Sequence, residues 1–294
     1  MEIRLLGTGT PTPSLERMSS GYLVRVNGDV LLFDHGPGAY HRMMEAGVAA
    51  TDVTHLFFTH LHYDHCLDYA RLLLTRWDQG GGKIPELKVY GPPFTERMTE
   101  LLIGEDGVFG PDLKARTEHP LSQVVYEARG GSLPRPWPRP SVTPLRSGAE
   151  VKGDGWRITT RSVRHVQPYL DCYGYRLECA DGVFAYSGDS GPCKAMEELA
   201  RGCDVLVHMC HYLSGTELSS EFAEGCMGHM ELAALGRDAG VKNLVISHVT
   251  EQMDVPGVRE RIVREMSEIY SGNLFLGEDL MVIPVGGPHP RKLD

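Results

Sequence analysis

No stretch of this 294-residue chain approaches the run of about 18 apolar residues that a membrane-spanning helix needs. The opening MEIRLLGTG carries an acid at position 2 and no apolar run of signal length. The chain therefore reads as cytoplasmic, with no membrane partner. Its seven cysteines (Cys66, Cys172, Cys179, Cys193, Cys203, Cys210 and Cys226) are odd in number, scattered and without a CxxC. That argues against a disulfide framework and against a thiolate zinc site. Basic runs are equally scarce. The formal charge is −10, and the one basic cluster is Arg135-Pro-Trp-Pro-Arg139, with Arg146 nearby. A surface that grips many phosphates normally carries a basic face, so bulk electrostatics disfavour nucleic acid as a partner.

What is present is ordinary in bulk and unusual in one place. Hydrophobic residues at 41% and charged residues at 23% are globular values, and the length suffices for a substantial core. The unusual stretch is residues 57–65, FFTHLHYDH, in which His60, His62, Asp64 and His65 fall at i, i+2, i+4 and i+5. The apolar run before it reads as a buried strand ending in a loop. With the backbone extended to about Thr59, His60 and His62 project to one side, while Asp64 and His65 lie past a bend. Imidazole and carboxylate are the donors that suit zinc, manganese, iron or cobalt. Four such residues form two half-sites for a pair of ions.

Other candidate donors follow apolar, strand-like segments. Asp34 ends DVLLFD, either orienting a ligand histidine or bonding its own turn. His35, beside it, is expected to face solvent or a neighbour. His165 follows WRITTRSV, Asp189 follows GVFAYSG, His208 and His211 end CDVLVHMCHY, and His248 ends NLVIS. Strand ends give rigid positions for such groups. Cys66, beside the ligand loop, is either a reactive thiol or a small buried hydrophobe. Residues 104–147 are rich in glycine and proline, with GGSLPRPWPRP at their centre. They read as irregular chain forming a lid or an interface, with Trp137 over a substrate or in a dimer contact.

The string HLHYDH resembles the HxHxDH signature of the metallo-β-lactamase superfamily. MEIRLLGTGTPTPS, LLFDHGPGAYHRMMEAG, YSGDSG and LVISHV resemble, in the right order, segments of its ribonuclease Z and arylsulfatase-like branch. The resemblance covers nearly the whole chain. It implies one α/β (α+β) domain over residues 1–294, an αββα sandwich with a metal site at one edge of its two sheets. It implies that His60, His62 and His165 hold one ion, that Asp64, His65 and His248 hold a second, and that Asp189 bridges them. Two divalent ions are then expected, zinc first, with manganese, iron or cobalt as alternatives. Dimerisation is also a family expectation.

The chemistry implied is hydrolysis by a hydroxide shared between the ions, with Asp64 in the catalytic centre and a histidine to protonate the leaving oxygen. His229, which resembles the GHS or GHT histidine of the ribonuclease Z branch, is the preferred donor, with His208 and His211 as alternatives. Two departures bear on substrate. Ribonuclease Z carries His-Glu-Ala-Thr where this chain has His208-Met209-Cys210-His211, and Met209 cannot accept a proton. The tRNA-gripping arm of that branch has no room between His165 and Asp189, an interval already filled by a hairpin. With the acidic charge, these point to a hydrolase of small esters, of the phosphodiester, phosphotriester or aryl sulfate type. A ribonuclease Z-like tRNA 3′ endonuclease, a lactonase or β-lactamase-type hydrolase, and a catalytically silent metal-binding module remain as alternatives.

Overall fold

The computed structural model describes residues 1–285. In chain order its strands are β1 (Glu2–Gly7), β2 (Gly21–Val26), β3 (Asp29–His35), β4 (His55–Phe57), β5 (Lys88–Gly91), β6 (Ser141–Pro144) and β7 (Glu150–Gly153). They continue as β8 (Trp156–Ser162), β9 (Tyr173–Cys179), β10 (Gly182–Tyr186), β11 (Val205–Met209), β12 (Asn243–Ser247), β13 (Asn273–Leu276) and β14 (Val282–Ile283). They form two seven-stranded sheets, ordered β14-β1-β2-β3-β4-β5-β6 and β7-β8-β9-β10-β11-β12-β13. Each sheet begins with four antiparallel strands and ends with three added in parallel. Among the described residues no helix is long and apolar enough to cross a membrane.

The inner strands, such as β3, β11 and β12, read as nearly continuous apolar runs because both faces are buried. Alternation at period two then sorts their residues into layers. Leu5, Tyr22, Val24, Leu31, Phe33, Phe57, Phe184, Tyr186, Val205, Val207 and Val245 face between the sheets. Leu6, Leu23, Leu32, Leu56 and Phe58 point out to one helical layer. Ala185, Leu206, Leu244 and Ile246 point out to the other. The result is an αββα sandwich.

Turn chemistry agrees with the strand pattern. Asn27 and Gly28, at φ 47° and 85°, give the two positive-φ residues that a tight hairpin between β2 and β3 requires.

Tyrosine hydroxyls cross the central layer and fix the register of one sheet against the other, three of them beside strands that carry the ligand loops. Tyr186 donates to Asp34 at 2.7 Å, Tyr175 donates to the Phe58 carbonyl at 2.6 Å, and Tyr22 pairs with the Ser247 hydroxyl at 2.7 Å. Their partners lie at or just past the C-terminal ends of β3, β4 and β12, so these crossings set the edge where the ligand loops emerge.

Two expectations are corrected. Residues 104–147 are not irregular throughout: they contain the helices Gly110–Glu118 and Pro120–Ala128 and the edge strand β6. Pro111 and Pro120 sit in the first turns of those helices, where a missing N–H costs nothing, so prolines that looked like breakers are helix starters. Trp137 donates its indole N–H to the Ile103 carbonyl, and Arg135 stacks 3.8 Å from the Trp77 ring centre.

His35 does not face solvent. Its ring is fully buried, 6.1 Å from the Tyr40 ring, with neither nitrogen partnered. The strand it ends is covered on both sides, so alternation offers it no exposed face. Burial, and after it the Arg71 guanidinium, push its pKa down to about 3. The unfolded chain therefore takes up that proton first, near the ordinary histidine value of about 6.5, and His35 costs stability progressively as pH falls from there toward about 3. His35→Leu is expected to flatten the acid limb of the stability curve by about 1.4 kcal/mol per pH unit within that window. Urea unfolding across the acid range reads this, and parallel wild-type and variant curves would clear His35 of the role.

Candidate metal centre

The ligand loop begins one residue past β4. His60 and His62 lie on extended chain, and Asp64 and His65 lie on the short helix Tyr63–Cys66. Tight packing holds that helix in place: a Cβ built on Gly36 would fall 1.9 Å from the Asp64 carbonyl oxygen. His165 follows β8, Asp189 follows β10 and His248 follows β12. His248 has φ 53° and Asp34 has φ 56°, a region that residues other than glycine seldom occupy. Such strain persists where the surroundings over-determine it, often at functional sites.

All seven expected ligands converge. Donor atoms of His60, His62, His165 and Asp189 lie within 4.8 Å of one another, as do those of Asp64, His65 and His248. One carboxylate faces both groups. Asp189 Oδ2 is 3.6 Å from His165 Nε2, 4.0 Å from His60 Nε2 and 3.3 Å from His248 Nε2, while its Oδ1 is 3.4 Å from His65 Nε2. Asp64 Oδ2 lies 3.4 Å from His65 Nε2 and 3.3 Å from His248 Nε2.

The outer ring nitrogens are anchored, which settles which nitrogen points inward. His65 Nδ1 donates to Asp34 at 2.8 Å, His165 Nδ1 to the Gly225 carbonyl at 2.8 Å, and His60 Nδ1 to the Thr59 hydroxyl at 3.0 Å. His65 and His165 present an unpartnered Nε2 to the centre, the arrangement that second partners impose on metal-binding histidines, while His60 Nε2 meets His62 Nδ1 at 2.9 Å. His248 Nε2 faces the carboxylates, and its Nδ1 lies 3.3 Å from His211 Nδ1; with a metal on Nε2, the His248 Nδ1–H would donate to His211 and leave the His211 hydrogen on Nε2.

The polar atoms at the centre fit a cation and little else. Asp64 Oδ1, His65 Nε2, His165 Nε2 and Asp189 Oδ1 are buried without a hydrogen-bond partner, and unpartnered buried polar atoms are rare unless something else meets them. Burial pushes the Asp189 carboxyl up, but His248 and His65 beside it outweigh this and hold it well below the carboxylate range. Asp64 is likewise held low, with His248 and His65 overcoming its burial. Burial, followed by His65, holds His60 far below the usual imidazole range. Two ionised carboxylates among bare imidazole nitrogens form a donor set for divalent metal.

The three candidate proton donors separate by position. His208 lies within β11, fully buried, with Nδ1 donating to the Met209 carbonyl at 2.8 Å. His229 is buried at the start of the helix His229–Asp238, and both its nitrogens are engaged. Nδ1 accepts from the Ser214 N–H at 3.0 Å, and Nε2 meets Glu265 at 2.9 Å. Only His211 touches a ligand-group residue. Cys66 is not a reactive thiol: it donates to the His62 carbonyl, and burial pushes it up to about 11.

Several contributors were not visible in the sequence reading. Thr59 gives Asp34 a backbone N–H and a hydroxyl, both at 2.7 Å, and Tyr186 adds a third donor from the other sheet. Their adjacency to His60 and to the Asp189 motif was the available signal. Met209, where a carboxylate was missed, accepts the Ser190 N–H on its sulfur at 2.9 Å and so braces the residue after Asp189. Glu265 stands on a helix remote in sequence from His229, and nothing local announces the pair.

Comparison with known proteins follows the geometry. A family model described as the metallo-beta-lactamase superfamily matches residues 15–197. A protein named Ribonuclease Z from Mycobacterium sp. (strain KMS) is 32% identical over 296 residues, 99% of this chain and 97% of its own. The Ribonuclease Z of Mycobacterium bovis (strain BCG / Pasteur 1173P2) is 30% identical over 304 residues, 99% of this chain and 100% of its own. Among solved structures, the short form of human tRNase Z superposes with TM-score 0.67 at 21% identity, covering 97% of this chain and 100% of that one. The metallo-beta-lactamase fold protein YhfI of Bacillus subtilis gives 0.72 at 17%, covering 96% and 99%.

End-to-end relatives named Ribonuclease Z overturn the expectation of a small-ester hydrolase, and with it the exclusion of nucleic acid. The charge argument failed for a physical reason. A formal charge of −10 sums side chains over the whole surface, whereas a phosphate meets the local field, to which bound divalent ions contribute most.

Asp34 accepts from four donors while fully buried. Replacing it with asparagine is expected to weaken metal binding by about 10- to 100-fold through loss of His65 orientation. Metal titration with a competing chelator measures this, and an unchanged affinity would remove Asp34 from the centre.

Proposed function

The chain belongs to the metallo-beta-lactamase superfamily and is a metal-dependent hydrolase, and from that premise we propose that it is a ribonuclease Z-like endonuclease that cleaves the phosphodiester at the 3′ side of precursor tRNA. The observation that carries the reading is the single Asp189 carboxylate facing two separate ligand groups, 3.6 Å from His165 and 3.3 Å from His248. Similarity over the whole chain to proteins named Ribonuclease Z supports RNA as the substrate.

His60, His62, His165 and Asp189 would hold one ion, and Asp64, His65 and His248 a second, with Asp189 shared. When bound, such ions, zinc best suited to this donor set, ionise water near neutral pH and offset charge developing on the phosphoryl oxygens. The protein's own contribution is order. Asp34, Thr59 and the Gly225 carbonyl fix three rings with their lone pairs inward, so that the donors need no rearrangement when charge develops. With a metal on His248 Nε2, His211 would accept from His248 at Nδ1 and hold its hydrogen at Nε2, an N–H donor for the departing 3′ oxygen. His229 and Glu265 anchor the loop after His211 through the Ser214 amide.

Metal-loaded protein is expected to trim precursor tRNA at its 3′ end. Asp189→Ala should remove that activity, and His211→Ala should lower kcat by about 100-fold when assayed at saturating metal. A protein with both ligand groups filled that leaves every precursor tRNA intact would sink the reading.

A further inference from the structure

His211 lines a cavity of about 410 Å³. This falls within the roughly 300–1,000 Å³ of small-molecule sites. The His211 and His248 rings are 5.3 Å apart, so the cavity is one side chain away from the ligands. We propose that it seats a single unpaired nucleobase of the RNA, that of a nucleotide flanking the scissile phosphate. This rests on the nuclease reading and names a recognition element within it.

The lining has the chemistry of a base and not of a phosphate. No lysine or arginine lines it, and Glu251 does, which would repel an anion. One wall is aromatic: the Phe222 ring lies 5.7 Å from His211 and 5.5 Å from Tyr212. Leu213 and Met253 add apolar surface. Unpaired bases are held in this way, by stacking on aromatic faces and by hydrogen bonds to their edges.

Edge-reading groups are also present. The Glu251 carboxylate can accept from an exocyclic amino group, and the Gln252 amide can both donate and accept. Thr250, 8% exposed, has a hydroxyl with no hydrogen-bond partner. A buried hydroxyl left unpaired costs free energy, which turning toward a ligand's polar edge would recover. A base held here would also keep the adjoining phosphodiester within reach of the His211 N–H.

The test is steady-state cleavage of precursor tRNA carrying one abasic residue, placed immediately 5′ or immediately 3′ of the cleavage site. The wild type, Phe222→Ala and Thr250→Val are compared, with metal content and thermal unfolding recorded for each. One of the two abasic substrates should raise the wild-type KM by about tenfold, the scale of losing one base stacked on an aromatic ring. Phe222→Ala should raise KM on intact RNA by a similar factor and add nothing on that abasic substrate. The near-isosteric Thr250→Val, which spares the packing, should show the same pattern with a smaller loss.

Wild-type protein indifferent to both abasic substitutions would overturn the proposal while leaving the nuclease reading intact. So would variants that lose equally on intact and abasic RNA. Wild-type protein that cleaves no precursor at all would overturn the nuclease reading, and the base site with it.

Discussion

The Asp34 carboxylate is buried completely, and its charge is tolerable there because four donors meet it at 2.7–2.8 Å. An ion placed in the interior without such partners would cost several kcal/mol. Two of the donors come from Thr59, at the start of the ligand loop. One is Tyr186, on the opposite sheet, and one is the His65 ring. A single group therefore ties the register of the two sheets to the orientation of a ligand histidine. The other crossings, Tyr22 to Ser247 and Tyr175 to the Phe58 carbonyl, repeat the link on either side.

The rest of the centre depends on that alignment. Asp64 and His65 come from the first sheet's edge, and Asp189, His165 and His248 from the second sheet's edge. Separations of 3.3–3.4 Å between atoms from different sheets survive only if the sheets do not slide. The apolar layer between them supplies the bulk of the adhesion, and it is non-directional. The hydrogen-bonded tyrosines supply direction. The strained backbone of His248 is sustained by the same rigidity.

Much of this was legible in the residues. The inner strands are nearly all apolar because both faces are covered, and the ligand residues carry a spacing that resembles a known signature, so the αββα architecture could be read from pattern. The convergence of His165, Asp189 and His248 on HLHYDH could not be read from spacing alone, since it depends on which strands become neighbours. Residues 110–128 were misread because prolines at helix starts look like prolines in loops. His35 was misread because a strand covered on both faces has no outside. The substrate was misread because charge was summed over the chain when the local site decides. Met209 and Glu265 show a further limit: a thioether bracing the Ser190 amide, and a carboxylate holding His229, are contacts between remote segments.

The centre is built from two ligand groups that share Asp189. Metal analysis of the purified chain, together with anomalous diffraction from metal-loaded crystals, tests that most directly. Two ions per chain, one on each side of the Asp189 carboxylate, with the His248 Nδ1 turned toward His211, is the predicted result. A single ion, or two ions that do not both contact Asp189, would contradict it.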